Sequence, residues 1–335
     1  MAHVSEYRTG GRPLLSVQGL STYLFTKSGI LKAVDDVSFA IDRGQCLGLV
    51  GESGSGKSMT CLSIIQLLPE HVARIVGGSV VFNGEELVGR SPSEIRAYRG
   101  KRVSMILQDP MTSLNPAFTI GDQVLEAVRL RCSGPIREAW ERVVAALRSV
   151  KIPAAQQRVH DYPHQMSGGM RQRVVGAMAV AGEAELLIAD EPTTALDVTI
   201  QAEYLALLRT LQREKNMAIL FVTHDLGIVA HMCDRVAVMY AGRIVELADV
   251  VDLFDRPAHP YTEALLSSVP TVECKASRLP AIDGQPPDLR SLPRGCSFEP
   301  RCQRALDRCK QEPPPAVALG GDRWVRCWSA QGSSG

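Results

Sequence analysis

Gly51-Glu52-Ser53-Gly54-Ser55-Gly56-Lys57-Ser58 brings three glycines, a lysine and hydroxyl side chains into one short stretch. Gly51, Gly54 and Gly56 let the backbone curl until several N–H groups point at a single anion. Lys57 adds a positive charge and Ser58 a hydroxyl. The pattern G-x-x-x-x-G-K-[ST] is a phosphate cradle, provided that a strand enters it and a helix leaves it. Cys46–Val50 is a short apolar run that reads as a buried strand, and Met59–Leu68, free of Pro and Gly, reads as a helix. The start of that helix adds the positive end of its dipole. Lys57 is expected to reach the β- and γ-phosphates of a nucleotide, and Ser58 to hold Mg²⁺. The binding set is Gly51, Ser53, Gly54, Ser55, Gly56, Lys57, Ser58 and Met59.

A second group of chemistry-bearing residues lies at the end of Leu186-Leu187-Ile188-Ala189, where Asp190 and Glu191 follow directly. Beside a phosphate loop, Asp190 would sit near Mg²⁺ and Glu191 would polarise an attacking water. An apolar run ending in Asp-Glu is also an ordinary strand end, so it gains weight only from its surroundings.

The elements that must position these groups are legible in outline. Leu14–Leu20 and Val34–Ile41 read as strands, the second alternating as Val37, Phe39, Ile41. Ser79–Phe82 is a β run closed by Asn83-Gly84, a hairpin signal. A charged helix over Pro92–Arg99 precedes the apolar strand Val103–Leu107. From Gly121 to Val150 the apolar positions recur at helical spacing, broken into two helices by Cys132-Ser133-Gly134-Pro135. Strand-like runs resume at Leu186–Ala189, Ala218–Val222 and Val236–Met239. This alternation predicts an α/β chain with a mostly parallel, helix-flanked sheet and a helical insertion over about residues 110–180. Beyond Pro257 proline becomes frequent and the periodicity fades, so residues 270–335 read as an irregular appendage to a domain over 1–269.

Met166-Ser167-Gly168-Gly169-Met170-Arg171-Gln172-Arg173, a short helix ahead of Asp190, resembles the signature sequence of ABC transporter ATPases. The resemblance runs to about residue 270. Gln108, in Leu107-Gln108-Asp109-Pro110, is similar to the family's Q-loop, Ala195-Leu196-Asp197 to its D-loop, and His224, in Thr223-His224-Asp225, to its switch histidine. The resemblance implies a phosphate-loop core with an antiparallel β subdomain and a helical subdomain. It further implies head-to-tail pairing of two cassettes around ATP. Ser167, Gly168, Gly169 and Met170 would face the γ-phosphate held by the other chain. Gln108 would contact Mg²⁺ or the lytic water, alongside Ser58 and Asp190 as metal-side groups. His224 would hold the γ-phosphate, Glu191 would act as base, and Asp197 marks the D-loop. An aromatic ring stacks on adenine in this family; Phe25 is the expected one and Tyr23 the reserve. Met166 and Met170 depart from the commonest Leu and Gln of the signature, while Arg171-Gln172-Arg173 is similar to the oligopeptide/dipeptide importer branch.

Cys296, Cys302, Cys309 and Cys327 form C-x5-C-x6-C-x17-C in a Pro- and Arg-rich segment. The paired C-x-x-C spacing usual for structural zinc is absent. Four thiolates at wider spacing suit a [4Fe–4S] cluster, with zinc and unliganded thiols as the alternatives. Phe298, Trp324 and Trp328 could form its dry shell. The same segment, with His259-Pro260-Tyr261-Thr262, resembles the C-terminal extension of the peptide-importer branch.

Composition excludes several classes. The 335 residues are 45% hydrophobic and 22% charged, as in a core-forming globular protein. Lys+Arg at 37 against Asp+Glu at 36 leaves a net charge of +1, which argues against a broad nucleic-acid face. No apolar stretch approaches the ~18 residues that span a bilayer, and Met1–Arg12 lacks the core of a signal peptide. The expectation is a cytosolic chain whose 9 cysteines stay reduced, bound peripherally at the inner face of the cell membrane. Its implied partners are two permease subunits, a second ATPase (related or identical) and an extracytoplasmic binding protein. Each permease would seat a helix near Gln108. The implied function is ATP-driven import of di- and oligopeptides. A nickel or other small-solute importer is the nearer alternative, and a soluble ABC ATPase of repair or translation the farther one.

Overall fold

The computed structural model describes residues 12–108, 113–182, 184–194, 196–269 and 282–333. Asp109 and Pro110 of the Q-loop stretch, Ala195 of the D-loop stretch, Cys274 and the start of the expected appendage at residue 270 lie outside them. The chain divides into two compact units. The first takes the described residues up to Asp42, then Cys46–Gly89 and everything from Thr223 on; the second takes Arg43–Gln45 and Arg90–Val222.

The first unit opens with long strands β1 (Leu15–Thr26) and β2 (Gly29–Ile41), paired antiparallel with Val17 opposite Phe39. In β2 the alternating residues Val37, Phe39 and Ile41 are buried as the period of two requires. The buried strand β3 (Cys46–Val50) then leads through the glycine-rich loop into α1 (Lys57–Ile64), which starts two residues before the expected Met59–Leu68 helix and ends four residues, about one turn, short of it. Strand β4 (Ala73–Phe82) pairs with β1, and Asn83-Gly84 turns it into β5 (Glu85–Glu86). Both turn residues have positive φ, 47° and 86°, the type I′ geometry that Asn-Gly favours. The result is an antiparallel sheet of order β2-β1-β4-β5.

The second unit holds β6 (Val103–Ile106), then helices α2 (Ile120–Arg129), α3 (Ile136–Ser149) and α4 (Gly168–Ala181) packed on one another. Val124 and Val128 on α2, and Val143 and Leu147 on α3, are the buried stripe that the helical spacing predicts. Strand β7 (Leu186–Asp190), helix α5 (Val198–Lys215) and strand β8 (Ala218–Thr223) complete it, with β6, β7 and β8 all parallel. Every residue of β7 and β8 is buried, as expected of apolar strands covered on both faces.

The chain re-enters the first unit through α6 (Leu226–Met232), β9 (Arg235–Tyr240), β10 (Arg243–Asp249) and α7 (Pro260–Ser267). β3 and β9 pair parallel, and β9 and β10 antiparallel. The C-terminal segment is less irregular than its composition suggests. Strands β11 (Val317–Gly320) and β12 (Arg323–Val325) pair with each other, and β12 adds to β10 through Glu246 opposite Val325. Pro-rich composition hides strands this short, because three residues cannot establish a period. Among the described residues no helix is long and apolar enough to cross a membrane.

Candidate functional site

In the first unit, β3 delivers the chain to Gly51 at φ 152°, with Gly54 at 77° and Gly56 at 108°. A Cβ on Gly51 would lie 2.1 Å from the carbonyl oxygen of Met239, and one on Gly56 2.2 Å from that of Ala33, so backbone packing admits no larger residue at either point. Ser53 and Gly54 are exposed at the tip. Lys57 is buried, and its ammonium lies back across the loop, donating to Gly51 O at 2.8 Å and Glu52 O at 3.0 Å. Ser58 and Met59 follow, half-buried, on the first turn of α1. The Ser55 hydroxyl is buried with no partner among the described residues. A buried polar atom without a partner, beside a curled loop and a lysine, fits an oxyanion ligand of the phosphate class.

Phe25 and Tyr23 stand near the end of β1, and their surroundings separate them. The Tyr23 hydroxyl donates to Asp35 Oδ1 at 2.8 Å, and Asp35 is paired with Arg243 at 2.6 Å. Burial and that hydrogen bond push the Tyr23 phenol up to about 12. Phe25 is 39% exposed, with the Arg74 guanidinium over one face of its ring at 5.6 Å from the centroid. His224 is exposed directly after β8, and the following Asp225 caps α6 by accepting from Gly227 N at 2.8 Å.

The second unit holds the remaining candidates. Asp190 ends β7, buried, in register with Val222 of β8. Glu191 follows with φ 47°, a left-handed conformation that costs a non-glycine residue about 1 kcal/mol or more and recurs at functional sites. Its N–H donates to Val222 O at 3.0 Å. Gln108 Nε2 donates to Glu191 Oε2 at 3.3 Å, and Thr194 Oγ1 donates to the same oxygen at 3.2 Å. The Q-loop glutamine and the carboxylate after Asp190 are thus brought into contact. Ser167 caps α4, its hydroxyl accepting from Met170 N at 3.3 Å, with Gly168 and Gly169 opening the helix. Asp197 caps α5 in the same manner, accepting from Ile200 N at 3.0 Å.

Two functional neighbours escape the sequence reading. Thr194 grips the Glu191 carboxylate, and Gln172 donates from α4 to Pro192 O, one residue beyond Glu191. Gln172 belongs to the signature stretch and is 2% exposed, so its polar type on a buried helix face was the available signal. Thr194 gave none beyond its position three residues after Glu191.

The four C-terminal cysteines line one small cavity with His259 and Trp328. Gly295-Cys296 packs against Cys309, with Cys296 N donating to Cys309 O at 2.7 Å. Burial pushes the Cys296 thiol up to about 11 and raises Cys302 as well, and the other cysteines add to both shifts. Among the described residues, however, no three Cys, His, Asp or Glu side chains stand together as metal ligands would. The four sulfurs thus share a cavity without standing as the ligand set that the sequence led one to expect, and burial favours the neutral thiol form of Cys296 and Cys302.

The comparisons with known proteins agree with the motifs. The ABC transporter family pattern matches residues 34–194, and the pattern named oligopeptide/dipeptide transporter, C-terminal region, matches residues 245–309. The chain is 49% identical over 94% of its length, and 94% of the relative's, to a probable peptide ABC transporter ATP-binding protein of Sinorhizobium fredii. It is 47% identical to the oligopeptide transport ATP-binding protein OppD of Salmonella typhimurium, over 90% of this chain and 89% of that one. The fold is similar, at TM-score 0.63 and 23% identity, to a dimeric post-hydrolysis ATP-binding cassette bound to ADP and phosphate, covering 70% of this chain and 98% of that one.

Proposed function

The chain belongs to the ABC transporter ATP-binding family, as the ATP-hydrolysing subunit of an oligopeptide/dipeptide importer, and from that premise we propose which residues do the work. Gly51–Met59 bind the phosphates of ATP, with Lys57 as the cation and the Ser55 hydroxyl as an added donor. Phe25 stacks on adenine, while Tyr23 is tied to Asp35. Ser58, Asp190 and Gln108 hold Mg²⁺. Bound Mg-ATP supplies the phosphoanhydride bond that is cleaved.

Glu191 is the general base. The observation that carries this reading is its carboxylate, fixed by Gln108 and Thr194 on a left-handed backbone position. Held so, it can take a proton from water without first losing rotamer freedom. His224 contacts the γ-phosphate. Ser167, Gly168, Gly169 and Met170 complete the site on a second cassette, where the N–H groups opening α4 and its dipole face an anion, and Asp197 lies at that interface. Glu191→Gln should cut kcat by at least about 100-fold while ATP affinity stays within twofold. Turnover near the parental rate would remove Glu191 from the role of base.

The partners proposed are two permease subunits, a second ATPase and an extracytoplasmic binding protein, which places this chain peripherally on the cytoplasmic face of the membrane. The limits proposed are 1–269 for the ATPase domain and 270–335 for the C-terminal extension. For the cysteines we propose a [4Fe–4S] site, supported by four sulfurs lining one cavity. Iron and sulfide analysis of anaerobically purified chain tests it; stoichiometric zinc without iron, or neither metal, refutes it.

A further inference from the structure

Glu52, the second residue of the phosphate-binding loop, is held at each of its polar groups. Its carbonyl oxygen accepts from the Lys57 ammonium at 3.0 Å. Its N–H donates to the hydroxyl of Tyr261, on α7, at 2.9 Å. Its carboxylate receives a two-pronged pair from Arg301: Nη1 to Oε2 at 2.7 Å and Nη2 to Oε1 at 3.0 Å.

Arg301 is itself held on several sides. Its side chain is only 4% exposed. Its Nε donates to Asp283 O at 2.9 Å, and Nη1 reaches the Tyr240 hydroxyl at 3.3 Å. The guanidinium lies 5.8 Å from the Tyr240 ring centroid and 6.0 Å from that of Phe298. Tyr240, Tyr261 and Phe298 pack on one another, with centroids 4.6 to 5.3 Å apart. An aromatic wall thus fixes both the arginine and the tyrosine that grip Glu52. A bidentate, charge-assisted pair shielded from water is stronger and more directional than a surface ion pair. Its other end is a loop that must adopt one curled conformation to bind phosphate.

We propose that Arg301, from the C-terminal segment, is a positioning residue for the phosphate loop: it fixes Glu52, and through the Glu52 carbonyl the Lys57 ammonium, in the conformation that receives ATP. The assignment rests on the reading of Gly51–Met59 as the ATP site. Tyr261 supports the same residue from α7 and occupies a loop N–H that then points away from the phosphates. The C-terminal segment is accordingly part of the nucleotide site's support.

If the clasp raises the population of the receptive loop, breaking it weakens ATP binding by the fraction of that population lost. The test measures binding of a fluorescent ATP analogue to the full chain, and kcat and KM in the complete transporter, for Arg301→Ala, Arg301→Lys, Glu52→Gln and the double variant Glu52→Gln/Arg301→Ala. Tyr261→Phe and Lys57→Ala complete the set. Arg301→Ala is expected to weaken nucleotide affinity about tenfold and to raise KM equally, with kcat at saturating ATP within twofold of the parent. Arg301→Lys, which keeps the charge and loses the fork, should recover part of that affinity. The double variant should bind no worse than the worse single one, because both break one interaction. Should Arg301→Ala not fold, Glu52→Gln and Tyr261→Phe carry the same expectation of weaker binding, measured on protein whose circular dichroism shows it folded. Unchanged affinity in all of these variants, additive losses in the double variant, or a fall in kcat alone would overturn the proposal. Lys57→Ala separates the two readings: if it too binds ATP normally, the loop is not the ATP site, whereas lost binding there with intact Arg301 variants refutes the clasp only.

Discussion

At the scale of single residues, the chemistry depends on groups held before the substrate arrives. Glu191 illustrates it: strand β7 sets its position, a left-handed φ turns it, and two donors fix one carboxylate oxygen. Thr194 is the donor that the sequence did not announce, and Thr194→Val removes its hydroxyl while keeping its shape. The expected effect is a fall in kcat of about tenfold, the lower end of the worth of one hydrogen bond to a charged group, with KM for ATP unchanged. Steady-state kinetics of the assembled transporter check this, and an unaltered kcat would make Thr194 a bystander. Lys57, Asp190 and Glu191 stood out as candidates in the sequence because each belongs to a local pattern of fixed spacing. Thr194 was not, because a threonine three residues along points to many structures equally.

At the scale of elements, α7 shows how a short motif acts through its cap. His259 Nδ1 accepts from Tyr261 N at 3.0 Å, with Pro260 in the first helical turn, and this aims Tyr261 at the phosphate loop. His259 is 1% exposed, and burial, with Arg304 nearby, lowers its pKa to about 3. The unfolded chain binds a proton at this ring below about pH 6.5, and the folded chain does not until about pH 3. Stability is therefore lost as pH falls through that window, by up to about 1.4 kcal/mol per pH unit. Glu246, whose carboxylate accepts from the Ala258 and His259 N–H groups, has the opposite sign, since burial raises its pKa. Comparison with His259→Asn isolates the imidazole, because Asn keeps a capping acceptor and binds no proton. Urea unfolding at pH 7, 6 and 5 should show the parent losing stability relative to His259→Asn at each step. A constant difference would mean that His259 takes up its proton as readily in the folded chain as in the unfolded one. The motif His259-Pro260-Tyr261-Thr262 was visible in the sequence; its target was not.

At the scale of the whole molecule, the signature residues Ser167 to Met170 and the loop Gly51 to Met59 belong to one chain, yet the proposed chemistry has each serve a different ATP. Hydrolysis then requires a second cassette. ATPase activity per molecule should rise with the concentration of the chain, or of the chain with its partner cassette, and level off once pairs form. A flat concentration profile in a species shown to be monomeric would refute a site completed in trans. The cradle, the two strand-end carboxylates, the signature and the alternating α/β plan were determined by the sequence itself, because each depends on neighbours within a few residues or on a regular period. The tertiary structure alone decided which side chains support them. Glu52 and Arg301 are 249 residues apart, and nothing in the spacing of either links them. Four cysteines likewise share one cavity without standing as a ligand set, a matter of distances and of thiol burial that no count of intervening residues contains.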